Sequence, residues 1–372
     1  MRNDTVLEVK NLSVDYASAA GAVHAVDNVS FTLARGHILG LAGESGSGKS
    51  TLAYAIARLH RPPAIITQGQ VLYYPRPEAE RNTGKDASKP VDVLHLSQEE
   101  LRAFRWRRLS IVLQSAMNAL NPVLNIGAQI DDVLRAHNPA MRARERQERA
   151  IELLRLVGIA ADRLRSFPHE LSGGMRQRAM IAIALALNPD IIIMDEPTTA
   201  LDVVVQRDIL TEVKALRERF GFSVIFITHD LSLLLEIADQ IAVMYAGRMV
   251  ETATQRQLYL QPRHPYTNGL MHSFPNLRGP RRTMTGIPGS PPDLRMLPSG
   301  CAFHPRCPFT FDACSSAAPT LLTPCPDAAE QRVACHLYDS SLNPAGVPDE
   351  LSHGHLGGTG RPEFAGHKGA WE

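Results

Sequence analysis

The chain has 372 residues, 44% of them hydrophobic and 21% charged, with a formal net charge of +1. That length affords a large core and suits two domains or one with appendages, and the near-zero charge excludes a global pull towards nucleic acid or an anionic membrane. The start, MRNDTVLEVKN, lacks a signal-peptide pattern, and the purest apolar stretch, AMIAIALAL at 179–187, is too short to span a bilayer, so a cytoplasmic location is expected.

In chain order, LEVKNLSVDY and HAVDNVSFTL alternate in polarity and predict strands, and HILGLA at 37–42 predicts a buried one. GESGSGKST follows at 43–51, with the spacing Gly43-x4-Gly48-Lys49-Ser50 of a phosphate loop between strand and helix. The glycines let backbone N–H groups turn inward, so the run Gly43, Ser45, Gly46, Ser47, Gly48, Lys49, Ser50 and Thr51 is the candidate nucleotide cradle. The helix starting near Gly48 adds its positive end, Lys49 neutralises the β- and γ-phosphates, and the Ser50 hydroxyl ligates Mg²⁺.

GQVLYY at 69–74 predicts another strand, and YPRPEAERNTGKDASKP at 74–90 a surface loop. From about 98 to 187 the pattern is mainly helical, through SQEELRAFRWRR, NIGAQIDDVLRAH, MRARERQERAIELLRLVG and GGMRQRAMIAIALAL. Strands and helices then alternate: DIIIMDE, VVVQRDILTEVKALRERFG, SVIFITHD, LSLLLEIAD and the strand pair QIAVMYAGRMVE. The expected fold class is α/β with a mostly parallel central sheet, an antiparallel β subdomain and a helical subdomain inserted at about 98–170. This unit runs over 1–260, a Pro-, Gly- and Cys-rich region over 261–340, and a tail expected to be disordered over 341–372.

Two carboxylates end the apolar run IIIMDEP at 191–197, where a buried strand points at the ligand crevice of an open sheet. Asp195 is the candidate Mg²⁺ holder and Glu196 the general base beside an attacking water; a helix-capping Asp-Glu pair is the plain alternative. His229 ends SVIFITHD in the same way, catalytic or merely structural. In LSGGMRQR at 171–178, Ser172 caps a helix whose N-terminus Gly173 and Gly174 leave bare. One nucleotide needs one such anion site, so this second one suits a nucleotide held by another subunit; an ordinary Ser-Gly-Gly helix start is the alternative.

With TALD at 199–202 and THD at 228–230, these blocks resemble an ATP-binding-cassette (ABC) ATPase over about residues 6–255. The resemblance implies a P-loop NTPase fold, ATP and Mg²⁺ as cofactors, and two subunits that sandwich two ATP molecules head to tail. It places Ser172, Gly173, Gly174 and Gln177 at the partner's ATP and Asp202 at the dimer seam. It makes Gln114, in VLQSAMNALNP, a sensor of Mg²⁺ and the attacking water, and stacks Tyr16 on adenine, although a tyrosine ending a strand is also a common edge residue. Ser115 and Ala116 follow Gln114 where close relatives carry an acidic residue and proline, which puts the stiffness of that loop in question.

HPYTNGLMHSFP at 264–275, GIPGSPPDL at 286–294, GCAFHPRCPF at 300–309 and NALNPV at 118–123 are similar to the oligopeptide and dipeptide importer ATPases. This likeness implies a subunit on the cytoplasmic face of the cell membrane that powers peptide uptake. Its partners would be two integral membrane permease subunits, a second ATPase subunit (a non-identical paralogue or a second copy) and, indirectly, an extracytoplasmic binding protein. Importers of nickel, glutathione or oligosaccharide share the extension. A rival class is the cassette ATPases that act on nucleic acid or ribosomes, to which RAFRWRR at 102–108 and RARERQER at 142–149 could lend contacts. A single cassette, the absence of a coiled-coil insertion and the near-zero charge argue against nucleic acid as a partner. A purely regulatory cassette would lack Glu196 or His229, and both are present.

All five cysteines fall between 301 and 335, spaced Cys301-x5-Cys307-x6-Cys314-x10-Cys325-x9-Cys335. The short gaps of zinc fingers do not occur, and disulfides do not suit a reducing compartment. Four thiolates match the need of a [4Fe–4S] cluster, and the family resemblance picks Cys301, Cys307, Cys314 and Cys335, leaving Cys325 spare. Zinc, with His304 or His336, and free thiols are the alternatives.

Overall fold

The computed structural model describes residues 4–18, 21–76, 89–114, 119–199, 201–273, 286–324 and 330–352. Most of the 74–90 loop, Ser115, Ala116, Cys325 and the tail beyond 352 lie outside the described residues. The strands are β1 (Thr5–Ser18), β2 (Gly21–Ala34), β3 (Ile38–Ala42), β4 (Ala64–Tyr73), β5 (Val91–Asp92), β6 (Leu109–Val112), β7 (Ile191–Asp195), β8 (Ser223–Ile227), β9 (Gln240–Tyr245), β10 (Arg248–Thr254) and β11 (Arg332–Val333). The helices are α1 (Lys49–Ile56), α2 (Gln98–Phe104), α3 (Ile126–His137), α4 (Ala143–Leu156), α5 (Gly173–Ala184), α6 (Val203–Phe220), α7 (Leu231–Ile237), α8 (Gln255–Leu260), α9 (Pro265–His272), α10 (Asp312–Ser316) and α11 (Asp349–Ser352).

Two sheets carry the fold. One is antiparallel, in the order β2-β1-β4-β5; the other has the order β11-β10-β9-β3-β8-β7-β6, with β9, β3, β8, β7 and β6 mutually parallel. The parallel strands read as unbroken apolar runs because both faces are covered. Along β7, Ile191 and Ile193 enter the core shared with the antiparallel sheet and α1, while Ile192 and Met194 enter the core shared with the helices. The same alternation sends Ile225 and Ile227 of β8 one way and Val224 and Phe226 the other.

The helical region packs by its own period. Asn125 caps α3 by accepting from Ala128 N–H at 2.8 Å, and Ile126, Ile130 and Leu134 then line its buried face at four-residue spacing. The region begins later than the sequence pattern implied. Leu109–Val112 is not helical but the edge strand β6, paired in parallel with β7. Four residues between helical patterns show no period of their own, and pairing with β7 decides their conformation.

The extension closes onto the main sheet rather than standing apart. β11 pairs with β10 through Glu251↔Val333 and Thr252↔Arg332. Glu251, fully buried, accepts from Arg263 N–H (2.8 Å), His264 N–H (2.9 Å) and Gln331 Nε2 (2.8 Å). Burial pushes His264 down to about 3, so its neutral ring can accept Tyr266 N–H at 3.0 Å and cap α9, with Pro265 following where an N–H is not needed. Residues 341–352 differ from the disordered tail expected there: α11 sets Leu351, 1% exposed, against Val333 and Leu337. One buried leucine anchors a segment whose composition is otherwise that of a loop. Among the described residues no helix is long and apolar enough to cross a membrane.

Candidate ATP site

Parallel pairing brings the C-terminal ends of β3, β8, β7 and β6 to one edge of the sheet. The segments that follow Ala42, Ile227, Asp195 and Val112 therefore converge there, although they lie far apart along the chain.

The phosphate loop leaves β3 between two strands. Gly43 (φ +146°) would place a Cβ 2.3 Å from Met244 O of β9, and Gly48 (φ +98°) 2.1 Å from Ala25 O of β2, so neither position accepts a side chain. Ser45 and Gly46 form the exposed tip, and Ser47 is buried beneath it. Lys49 is 5% exposed, and its ammonium donates to Gly43 O (2.7 Å), Glu44 O (2.9 Å) and Ser47 Oγ (3.3 Å). Burial lowers its pKa against the raising effect of Glu196, Asp195 and Glu44. Tyr16, half-buried at the end of β1, has its hydroxyl 3.1 Å from Thr51 Oγ1 on α1.

Asp195 is fully buried; Oδ1 accepts from Ser50 Oγ at 3.0 Å, while Oδ2 has no hydrogen-bond partner. Burial pushes this carboxyl up, opposed by the Ser50 hydrogen bond. An orphaned carboxylate oxygen beside a serine hydroxyl is a hard-oxygen donor set that fits Mg²⁺.

Glu196 sits in the left-handed region (φ +45°), pinned by its N–H donating to Ile227 O at 2.9 Å. Such backbone costs on the order of 1–3 kcal/mol in a non-glycine residue and is typical of functional positions. Its carboxylate accepts from Gln114 Nε2 (3.0 Å) and Thr199 Oγ1 (3.1 Å), with His229 Nδ1 at 3.4 Å. Three separately read segments thus meet on one carboxylate. Thr199 is an addition: it stood in TALD, but no spacing rule tied its hydroxyl to Glu196.

Ser172 caps α5 by accepting from Met175 N–H at 3.2 Å, and its side chain is exposed. Asp202 caps α6, accepting from Val204 and Val205 N–H at 3.1 and 3.0 Å. The two caps are neighbours, since a Cβ on Gly174 would stand 2.7 Å from Val205 Cγ1. Val203 and Val204 lie beside Asp202, each 71% exposed. Gln177 is only 3% exposed in the single chain, with Nε2 buried and without a hydrogen-bond partner, on the face of α5 that also carries Ile181.

The basic runs are largely occupied. Arg105 donates to Ala57 O and Arg58 O, Arg108 pairs with Asp190, and Arg144, Arg146 and Arg149 pair with Glu148, Asp131 and Glu152.

Cys301, Cys307, Cys314 and Cys335 are free thiols, close enough for their charges to influence one another. Burial pushes up Cys301, Cys307 (to about 11) and Cys335, and the neighbouring sulfurs add to it. Opposing this, backbone N–H groups of Phe303 and His304 point at Cys301, that of Phe309 at Cys307 and that of Leu337 at Cys335. Among the described residues no three His, Cys, Asp or Glu side chains form a group that could hold a metal ion. Of the histidines in the zinc alternative, His304 Nδ1 lies 2.9 Å from Cys301 O and His336 Nε2 2.8 Å from Ala317 O, which engages one ring nitrogen of each.

Comparison with known proteins agrees with this geometry. Residues 26–199 match the ABC transporter family, and residues 250–314 the family described as oligopeptide/dipeptide transporter, C-terminal region. A putative peptide import ATP-binding protein of Brucella abortus is 44% identical over 323 residues, 86% of this chain and 92% of that protein. The oligopeptide transport ATP-binding protein OppD of Bacillus subtilis is 43% identical, covering 84% of each chain, and that of Escherichia coli 41%, covering 85% of this chain and 89% of its own. Among solved structures, the ATP-binding cassette MJ0796, in a dimeric post-hydrolysis state bound to ADP and Pi, has a TM-score of 0.57 at 29% identity, covering 67% of this chain and 99% of that one. The chain belongs to the ATP-binding-cassette transporter ATPases, in the group that carries the oligopeptide/dipeptide transporter C-terminal region.

Proposed function

We propose that this ATPase powers uptake of peptides across the cytoplasmic membrane, working from its cytoplasmic face on two membrane permease subunits that receive solute from an extracytoplasmic binding protein. The observation that carries the reading is a full set of hydrolytic groups around Glu196 on a chain whose extension is built into the same sheet through β11. The relatives named for peptide or oligopeptide transport support the choice of solute.

In this reading Lys49 and the loop N–H groups hold the phosphates, Tyr16 stacks on adenine, and Ser50, Asp195 and Gln114 hold Mg²⁺, which supplies charge neutralisation at the phosphates when bound. Glu196 takes the proton of the attacking water. Gln114 and Thr199 hold one oxygen of its carboxylate, and His229 Nδ1 lies 3.4 Å from the other. Ser172, Gly173 and Gly174 contact the γ-phosphate held by a second ATPase subunit, a paralogue or a second copy. Asp202, Val203 and Val204 lie in the seam between them. ATP thereby favours the closed pair, and hydrolysis releases it.

Purification of the intact membrane complex with its binding protein tests this: two permease subunits, a second ATPase and bound peptide are expected. Recovery of another solute would redirect the substrate, and salt-sensitive nucleic acid in place of permeases would sink the importer reading. Ser172→Arg should leave ATP affinity of the isolated subunit intact and block ATP-driven pairing, because a long cation would stand where the partner's γ-phosphate docks.

We also infer that Cys301, Cys307, Cys314 and Cys335, which as they stand form no group that could hold a metal ion, draw together on iron to hold a [4Fe–4S] cluster that staples the extension. Burial disfavours the charged form of Cys301, Cys307 and Cys335 while backbone N–H groups favour it, a setting in which thiolates need a balancing cation such as iron. A single zinc would need its donors within about 4 Å of one another. Protein purified without oxygen should be brown, with about four irons per chain, and Cys335→Ser should bleach it while Cys325→Ser does not. Colourless protein would end the cluster reading and leave the ATPase untouched.

A further inference from the structure

The extension reaches the phosphate loop directly. Arg306, in the HPRC turn between Cys301 and Cys307, sends Nη1 and Nη2 to the two carboxylate oxygens of Glu44, at 2.8 and 3.1 Å, across 262 residues of sequence. The pair is bidentate: the Arg306 side chain is 7% exposed among Tyr245, Tyr266 and Phe303, while Glu44 keeps 26% of its side chain in contact with solvent. The guanidinium lies over the Tyr245 and Phe303 rings, 5.8 and 6.0 Å from their centroids. A planar fork whose guanidinium is buried fixes position better than a pair between two exposed side chains.

Glu44 is held a second time by the extension, through its N–H donating to Tyr266 Oη at 2.8 Å. Its remaining polar group faces the nucleotide machinery: Glu44 O accepts from Lys49 Nζ at 2.9 Å and from Ser47 N–H at 3.2 Å. One residue of the loop therefore has its carboxylate and N–H fixed from outside and its carbonyl against the phosphate-binding lysine.

We infer that Arg306 is a positioning residue for nucleotide binding: by locking Glu44 it sets the first turn of the phosphate loop and the resting place of Lys49. This rests on the reading of residues 43–51 as the ATP cradle. The groups around Glu196 follow β6, β7 and β8, and neither Arg306 nor Glu44 hydrogen-bonds them, so its loss should be felt in ATP affinity more than in turnover at saturation.

The test measures KM for ATP and kcat in the assembled transporter. Arg306→Gln should raise KM at least about fivefold, with a smaller change in kcat, and Arg306→Lys should recover part of the loss. Glu44→Gln should act alike, and the double variant should be no worse than the poorer single, since all remove one interaction. A role confined to holding the extension, through Pro288 O and Gly289 O, predicts instead less assembled complex with unaltered KM, or effects that multiply in the double variant. Either result overturns the proposal. If Arg306→Gln fails to assemble, Glu44→Gln decides alone, because it leaves those carbonyl bonds in place; a KM within about twofold of the parent sinks the idea. Lys49→Ala separates the two readings. Retained ATP binding in that variant would overturn both, whereas lost binding there with unaltered KM in Arg306→Gln overturns only the role of Arg306.

Discussion

Asp195 and Glu251 are both carboxylates with no exposed surface, and burial pushes both upwards, yet the chain provides for them in opposite ways. Glu251, at the joint between main sheet and extension, is surrounded by donors from Arg263, His264 and Gln331. Asp195, at the strand end beside the phosphate loop, has Ser50 on one oxygen and no hydrogen-bond partner on the other. The nearby Lys49 is turned to carbonyl oxygens instead. A saturated buried charge is a joint; an unsaturated one is waiting for a ligand. Exposure alone would not tell the two apart.

The sharpest way to probe the ligand end is Glu196→Gln, which removes the base and keeps the phosphate contacts. Turnover should fall about 10²–10⁴-fold while ATP binding persists, and near-normal turnover in the assembled transporter would refute the assignment.

Asp195→Asn comes next. It removes a charge that the unliganded fold does not satisfy, so Mg²⁺-dependent turnover should drop about 10²-fold or more while stability does not fall. Because burial raises this carboxyl, the folded chain binds its proton more readily than the unfolded chain. The stability of the parent therefore declines as pH rises from the ordinary carboxylate value, about 3.9, through the raised one. The Asn variant should be at least as stable near neutrality and lose that advantage in acid. Denaturant melts at several pH values check this, and a less stable variant at pH 7 would contradict the comparison.

The smallest effect belongs to the joint. Glu251→Gln replaces an acceptor with an amide facing two N–H donors, and should cost about 1–3 kcal/mol of stability with turnover per folded molecule near that of the parent. Lost turnover with intact stability would reverse the roles of the two carboxylates.

The ligand end was largely legible in the sequence because its chemistry is local. The loop at 43–51, the strand ends at Asp195 and His229 and the cap at Ser172 each follow from a few adjacent residues, and parallel pairing then assembles all but the last. The joint was not. Nothing adjacent to Glu251 announces Gln331, and nothing near Glu44 announces Arg306, since these contacts are set by how two distant segments pack. The burial of Gln177 was hidden for a related reason: a motif fixes the order of residues but not which of them the helix turns inward. β6 was lost because a four-residue strand carries too little pattern to stand against helical neighbours.

The smallest strand of the main sheet has a consequence for how the protein survives in a crowded solution. Without Arg332 and Val333, and the further bond from Ala334 N–H to Val250 O at 2.8 Å, β10 would be the outermost strand on its side of the sheet. Its free N–H and C=O groups would template pairing with any extended chain, including another copy of itself. Two ladder residues blunt that edge. The extension therefore guards the ATPase against edge-to-edge aggregation as well as bearing the cysteines, and a chain cut short of β11 would keep every group of its ATP site and still be prone to precipitate.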